Sequence, residues 1–65
     1  MNILQQNQDG VQIRLTPDEI IAISNALNES LENIEEWEFE TRMGVTRVET
    51  TALLAVFRHI RTNQE

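Results

Sequence analysis

The sequence predicts an α+β fold that is mainly helical, with an N-terminal β-hairpin followed by three helices. Residues 11–15 (VQIRL) alternate apolar and polar side chains, which is typical of a half-buried strand. The words TPDE and TRVE each place a threonine three positions before a glutamate, a pattern that marks the start of a helix. We expect strands at about 2–6 and 11–15 and helices at about 17–32, 35–43 and 47–61, within one small domain spanning residues 1–65.

The hairpin is predicted from a turn signal between two short candidate strands. Asp9-Gly10 is a strong turn dipeptide, and the preceding NILQ supplies a partner for VQIRL. A hairpin of only two strands is marginal in water. We therefore expect it to be supported by the helices or by another subunit.

The first helix has the clearest signals in the chain. Thr16 is the predicted N-cap, Pro17 fits the first helical position, and Glu19 completes the capping box. Apolar residues then recur at spacings of three and four along one stripe: Ile20, Ile23, Leu27, Leu31 and Ile34.

The second helix is short, and its ends are predicted from individual residues. Asn33 can cap it, with Glu36 three positions later, and Gly44 is the expected left-handed C-terminal residue. Phe39 and Met43 are four positions apart, so they share a face that we expect to turn into the core.

The third helix begins at the second capping box and carries two distinct faces. The broad apolar face, which we expect to pack in the core, comprises Val48, Ala52, Leu53, Val56, Phe57 and Ile60. Residues on the reverse side follow at spacings of three and four and form an arginine ridge: Arg47, Thr51, Leu54, Arg58 and Arg61.

Chain length makes self-association the expected source of additional stability. Sixty-five residues bury only a small core. Disulfides and thiolate metal sites are excluded because the chain has no cysteine. A homodimer, formed through the hairpin or the last helix, is the simplest remaining arrangement.

The charge balance favours a basic protein partner over nucleic acid. Eleven acidic residues face five basic ones, all arginine, for a formal charge of −6. No apolar run approaches the roughly 20 residues of a membrane span. The N-terminal residues lack the pattern of a signal peptide. We expect a cytoplasmic bacterial protein with no membrane association.

The stretch EEWEFE surrounds the only tryptophan with acidic residues. Its candidate site residues are Trp37, Glu35, Glu36, Glu38 and Glu40, which we call the acidic patch. One interpretation is a docking surface for a basic protein with Trp37 as its anchor. The other is a solvated helix surface, and the sequence leaves open whether Trp37 is buried or exposed.

Three interpretations fit the arginine ridge. It could bind DNA as the second helix of a helix-turn-helix, although the preceding acidic helix and the overall charge argue against this. It could be an interface with Leu54 at the centre and Arg58 at the rim. It could also simply balance the surrounding acids, since exposed ion pairs contribute only about 0–1 kcal/mol each.

Catalytic and cofactor signatures are absent from the sequence. His59 is the only histidine, and Ser24 and Ser30 have no triad context. No Gly-rich phosphate loop, zinc-protease motif or dinucleotide fingerprint occurs. We expect no enzymatic activity, no cofactor and no metal.

The words LTPDE, ALNE and EFETRMG resemble those of a family of small, mostly uncharacterised bacterial proteins. The resemblance covers about residues 13–54 and carries no known activity. It implies that Asn25–Glu29 and Glu38–Gly44 act together, with Asn28 and Arg42 best suited to cross-link the first two helices.

These observations predict a non-enzymatic acidic protein-interaction module, of which an immunity protein or antitoxin is a concrete form. The alternative is a helix-turn-helix DNA-binding accessory or regulator that uses the arginine ridge.

Overall fold

The computed structural model describes residues 1–63 and contains the predicted hairpin and three helices. In chain order these are β1 (Asn2–Asn7), β2 (Gly10–Arg14), α1 (Pro17–Asn33), α2 (Glu36–Met43) and α3 (Arg47–Thr62). The predicted fold class, mainly helical α+β, is confirmed.

The hairpin is antiparallel and contains one pair of facing apolar residues. Ile3 pairs with Ile13, and a bulge falls between Ile3 and Gln5. At the turn, the Asn7 side-chain oxygen accepts hydrogen bonds from the backbone N–H groups of Asp9 (2.9 Å) and Gly10 (3.2 Å). The Asn7 side chain thus holds the two-residue loop in place.

Neither strand packs on the helices. The backbones of both strands stay more than 8 Å from those of the helices, measured between Cα atoms, and every residue of both strands is exposed. Support by packing on the chain's own helices, one of the two expected sources, is therefore missing, although the Met1 ammonium next to β1 pairs with Glu19 of α1.

Both predicted capping boxes are confirmed. The Thr16 hydroxyl accepts a hydrogen bond from the Glu19 N–H, and the Glu19 carboxylate accepts one from the Thr16 N–H (2.8 Å). Thr46 and Glu49 repeat this arrangement at the start of α3. Each box pairs N-terminal donors that the helix itself cannot satisfy.

The predicted cap of α2 is wrong at its start and confirmed at its end. Asn33 is the last residue of α1, and its side chain donates to the backbone oxygen (2.9 Å) and carboxylate (2.8 Å) of Glu29, one turn back. Glu35 is the actual N-cap and makes no side-chain capping bond. Gly44 ends α2 in the left-handed region, with φ +79°.

The core lies mainly between α1 and α3. Its buried apolar side chains are Ile20, Phe39 and Leu54, accompanied by the buried Ser24 and Thr50. Both hydroxyls donate a hydrogen bond to the carbonyl four residues earlier, so neither is left unpaired. Phe39 is 1% exposed, as predicted for the inward edge of α2.

The predicted inward face of α3 is wrong at every member except Phe57, which is half-buried. Val48 is 79% exposed and Val56 54%, whereas Leu54, which the sequence pattern assigns to the outer ridge, is only 3% exposed. The helix instead packs on its neighbours through a stripe at helical spacing: Arg47, Thr50, Leu54 and Phe57. Its larger apolar face is turned away from the rest of the chain.

The molecule is flat. Its Cα extents are 36 × 32 × 15 Å, and its radius of gyration is 13.2 Å. A compact chain of this length has a radius of gyration of about 11 Å. The chain is thus less compact than a globular domain of its length.

Within residues 1–63, no helix combines the length and apolar character that a membrane span requires.

Acid should weaken both capping boxes. The pKa of Glu19 is lowered mainly by the Met1 ammonium and then by the Thr16 N–H, and the pKa of Glu49 is lowered mainly by the Thr46 N–H. A depressed folded-state pKa gives stability above the unfolded value of about 4.3 that is lost as pH falls through the folded value.

Urea unfolding measured between about pH 5 and pH 3 should therefore show a decreasing free energy of unfolding. Glu49→Gln should reduce this pH dependence, because the amide side chain cannot ionise. Glu40→Gln removes the same charge outside a capping box and serves as the control. Equal slopes for wild type and Glu49→Gln would contradict this role for Glu49.

Candidate functional site: an exposed tryptophan on an acidic helix

The side chain of Trp37 points into solvent and is 80% exposed. Phe39, two positions later on the same helix, is 1% exposed. Residues two apart on an α-helix lie on different faces, so burying Phe39 turns Trp37 outward. The question that the sequence left open is thus answered: Trp37 lies at the surface.

The acidic patch divides into carboxylates beside Trp37 and one on the other side of α2. Glu40 is exposed and lies three positions after Trp37, which makes the two side chains neighbours on the helix surface. Glu35 is also exposed, at the N-cap. Glu38 is half-buried and pairs with Arg42 at 4.0 Å in the predicted i,i+4 arrangement.

The guanidinium of Arg47 connects all three helices. It donates to the backbone oxygens of Leu31 (2.7 Å) and Ile34 (2.8 Å) and pairs with Glu36. Its central carbon also lies 4.5 Å from the centre of the Phe39 ring. We call this arrangement the Arg47 clamp.

The sequence interpretation missed the clamp and treated Arg47 as a surface cation. One signal was present: α1 has no basic residue in its last turn, although helix C-termini favour a nearby positive charge. Arg47 supplies that charge from the start of α3. Nothing in the local sequence indicates which of the five arginines does so.

The arginine ridge is not a continuous cationic surface. Arg47 belongs to the clamp, Leu54 is buried, and Arg58 donates to the Asn28 side-chain oxygen at 3.0 Å. Arg61 and Thr51 are exposed. Leu54 cannot be the centre of an interface because it is buried within the chain.

The pairing of Asn28 also corrects the implication of the resemblance. Asn28 links α1 to α3 through Arg58, whereas Arg42 pairs with Glu38 inside its own helix. The backbones of α1 and α2 nowhere approach within 8 Å of each other, measured between Cα atoms. The expected link between these two helices through Asn28 and Arg42 is therefore absent.

A wide groove of about 500 Å³ lies beside the acidic patch. Its lining residues come from the start of α2 and the outer side of α3: Glu36, Arg47, Val48, Thr51, Ala52 and Ala55. The lining is mostly apolar, with charged groups at one end. The groove thus adjoins the helix that carries Trp37.

Chemically, the patch can bind cations but lacks the grouping required for a metal site. In the described part of the chain, no three acidic or histidine side chains gather closely enough to hold a metal ion. An exposed indole beside carboxylates can bind a guanidinium or ammonium group through its ring face while the carboxylates neutralise the charge.

Comparison with protein-family models, curated proteins and solved structures finds no match to this chain. The resemblance drawn from short words stays a prediction.

The two aromatic residues of α2 should respond oppositely to truncation. Phe39→Ala removes a buried ring and should lower the free energy of unfolding by about 3–5 kcal/mol. Trp37→Ala removes an exposed one and should change it by no more than about 0.5 kcal/mol. Urea unfolding followed by circular dichroism measures both, and a large loss in Trp37→Ala would show that the indole is packed.

Replacing Arg47 by lysine should weaken the clamp although the charge is kept. An ammonium cannot reproduce the planar fork that reaches two carbonyls while stacking on a ring. We expect a loss of about 1.5–3 kcal/mol in the free energy of unfolding, the range for hydrogen bonds to charged groups. Arg61→Lys, at an exposed position of the same helix, is the matched control and should be within about 0.5 kcal/mol of wild type.

Proposed function

We propose that this chain is a non-enzymatic protein-binding module that docks a basic protein through the acidic patch. The observation that carries the proposal is the 80% exposure of Trp37 among glutamates. An aromatic side chain can bury about 150–250 Å² on packing. Trp37 leaves most of its surface in water, where a partner can cover it.

The chemistry of the patch favours arginine-rich or lysine-rich partner surfaces. Tryptophan is among the residues that most often dominate binding energy at protein interfaces. Carboxylates around it would attract a basic protein and speed its approach, an effect that salt weakens. The net charge of −6 acts in the same direction.

An immunity protein or antitoxin that covers a basic partner is one concrete form of this function. We further propose that the module acts as a homodimer, because its own core is small. The reducing cytoplasm is the proposed location, since the cysteine-free chain needs no disulfide.

DNA binding through the arginine ridge is the second candidate and has less support. Arg47 is engaged with two carbonyls and Glu36, so using it on a phosphate would dismantle contacts among three helices. Arg58 is bonded to Asn28. Steep loss of duplex DNA binding with salt, abolished by neutralising Arg58 and Arg61, would favour this candidate instead.

An arginine-rich peptide provides a defined probe of the acidic patch. Trp37 is the only tryptophan, so a change in its emission on titration reports contact at the patch itself. Calorimetry should then show that Trp37→Ala lowers the affinity at least about tenfold, as expected for an anchoring residue. Raising the salt concentration should weaken the wild-type complex.

Charge-matched variants separate a specific patch from general attraction. Glu35→Gln with Glu40→Gln removes two charges beside Trp37, whereas Asp9→Asn with Asp18→Asn removes two charges elsewhere. The first pair should lower the affinity several times more than the second. Equal losses in both pairs, or unchanged affinity in Trp37→Ala, would mean that the patch is not the docking site.

A further inference from the structure

The chain exposes more surface than a globular monomer of its mass. Its accessible surface is 5238 Å² for 7.5 kDa. The usual scaling for folded monomers gives about 4,250 Å². The difference, about 1,000 Å², is close to the roughly 800 Å² that each partner buries in a standard interface.

Part of the exposed apolar surface lies on the side of α3 that faces away from α1, and the hairpin carries another part. We define the α3 outer face as Val48, Ala52, Ala55 and Val56, whose spacings of four, three and one place them on one side of the helix. Val48 is 79% exposed and Val56 54%. Leu53 and Ile60 widen this face at one margin, at 46% and 36% exposure.

This face has the composition of an interface centre. Valine and alanine are short, so another helix can approach closely, and three members of the face line the groove of about 500 Å³. None of its four residues is charged, although the chain as a whole carries −6. Interface centres are likewise depleted of charged residues.

We propose that the α3 outer face is the surface through which two copies of this chain associate. The inference rests on the homodimer of the proposed function and assigns its contact surface. A second copy would cover Val48 and Val56, which the described part of the chain leaves exposed. The excess surface of the whole chain, to which the exposed hairpin also contributes, is about one side of a standard interface. A two-fold contact lets the same uncharged face serve both copies.

The α3 outer face suits a second copy of the chain better than it suits the basic partner. The four residues offer no carboxylate to a cation, whereas the acidic patch does. The two surfaces therefore call for different occupants. They should also respond oppositely to salt: screening weakens docking to a cation but relieves the repulsion between two acidic copies.

Sedimentation velocity across the micromolar range tests the assignment. Wild type should have about twice the monomer mass of 7.5 kDa, and added salt should not dissociate it. Val48→Asp and Val56→Asp should each raise the dimer dissociation constant at least about tenfold. Asn25→Asp, which adds the same charge at an exposed site on α1, should leave it unchanged.

A second measurement covers the case in which Val56→Asp fails to fold. The melting temperature of a wild-type dimer should rise with protein concentration. Val48→Asp should still fold, because Val48 is 79% exposed and an acidic residue suits the first turn of a helix. It therefore tests the interface even if Val56→Asp does not fold. A wild type that sediments as a monomer, or a dimer that survives both valine substitutions, would overturn the assignment.

The two proposals fail separately. Trp37→Ala should lower the affinity for the peptide at least about tenfold and leave the dimer intact. If the protein is a dimer that does not bind the arginine-rich peptide, the docking proposal is wrong and the α3 interface is supported. If the protein is a monomer that binds the peptide through Trp37, the α3 interface is wrong and the docking proposal is supported.

Discussion

The Arg47 clamp is the interaction on which the helical part of this protein depends. Its guanidinium satisfies carbonyls at the end of α1, pairs with Glu36 at the start of α2 and covers the ring of Phe39. The carbonyls at a helix C-terminus have no partners within the helix, and their partial negative charge favours a cation. Because the backbones of α1 and α2 stay more than 8 Å apart between Cα atoms, the clamp is a principal connection between them through α3.

The clamp also accounts for the orientation of α3. Once Arg47 points towards α1 and α2, residues three, seven and ten positions later share its side of the helix. These are Thr50, Leu54 and Phe57, which include the two buried residues of α3. The valines and alanines of the α3 outer face are then directed away from α1, even though they form the more apolar surface. The hydrogen bonds from Arg47 to the carbonyls at the end of α1 are thus formed, while the larger apolar face of α3 stays exposed.

This competition explains which features the sequence could predict. Helix and strand positions follow from local signals, such as Thr16 with Glu19 and Gly44, whose partners lie within a few residues. The burial of Phe39 is predictable because Phe39 shares one edge of α2 with Met43, four positions later. Helix α3 has apolar residues on both sides, and periodicity alone cannot tell which side meets α1. The deciding contacts of Arg47 lie 13 and 16 positions away in the sequence.

A helix with two apolar faces is what a chain requires if it packs against its own core and also against another molecule. In this chain the first requirement is met by Leu54 and its neighbours, and the second is left to the α3 outer face. Helix α2 shows the same division between two single residues: Phe39 is buried in the core, and Trp37 is left exposed for a partner. The difference lies in the surroundings: carboxylates beside Trp37 select a cationic partner, whereas the uncharged α3 outer face accommodates another copy of itself. The two proposed associations therefore depend oppositely on salt because the sequence places carboxylates on α2 and an uncharged face on the neighbouring α3.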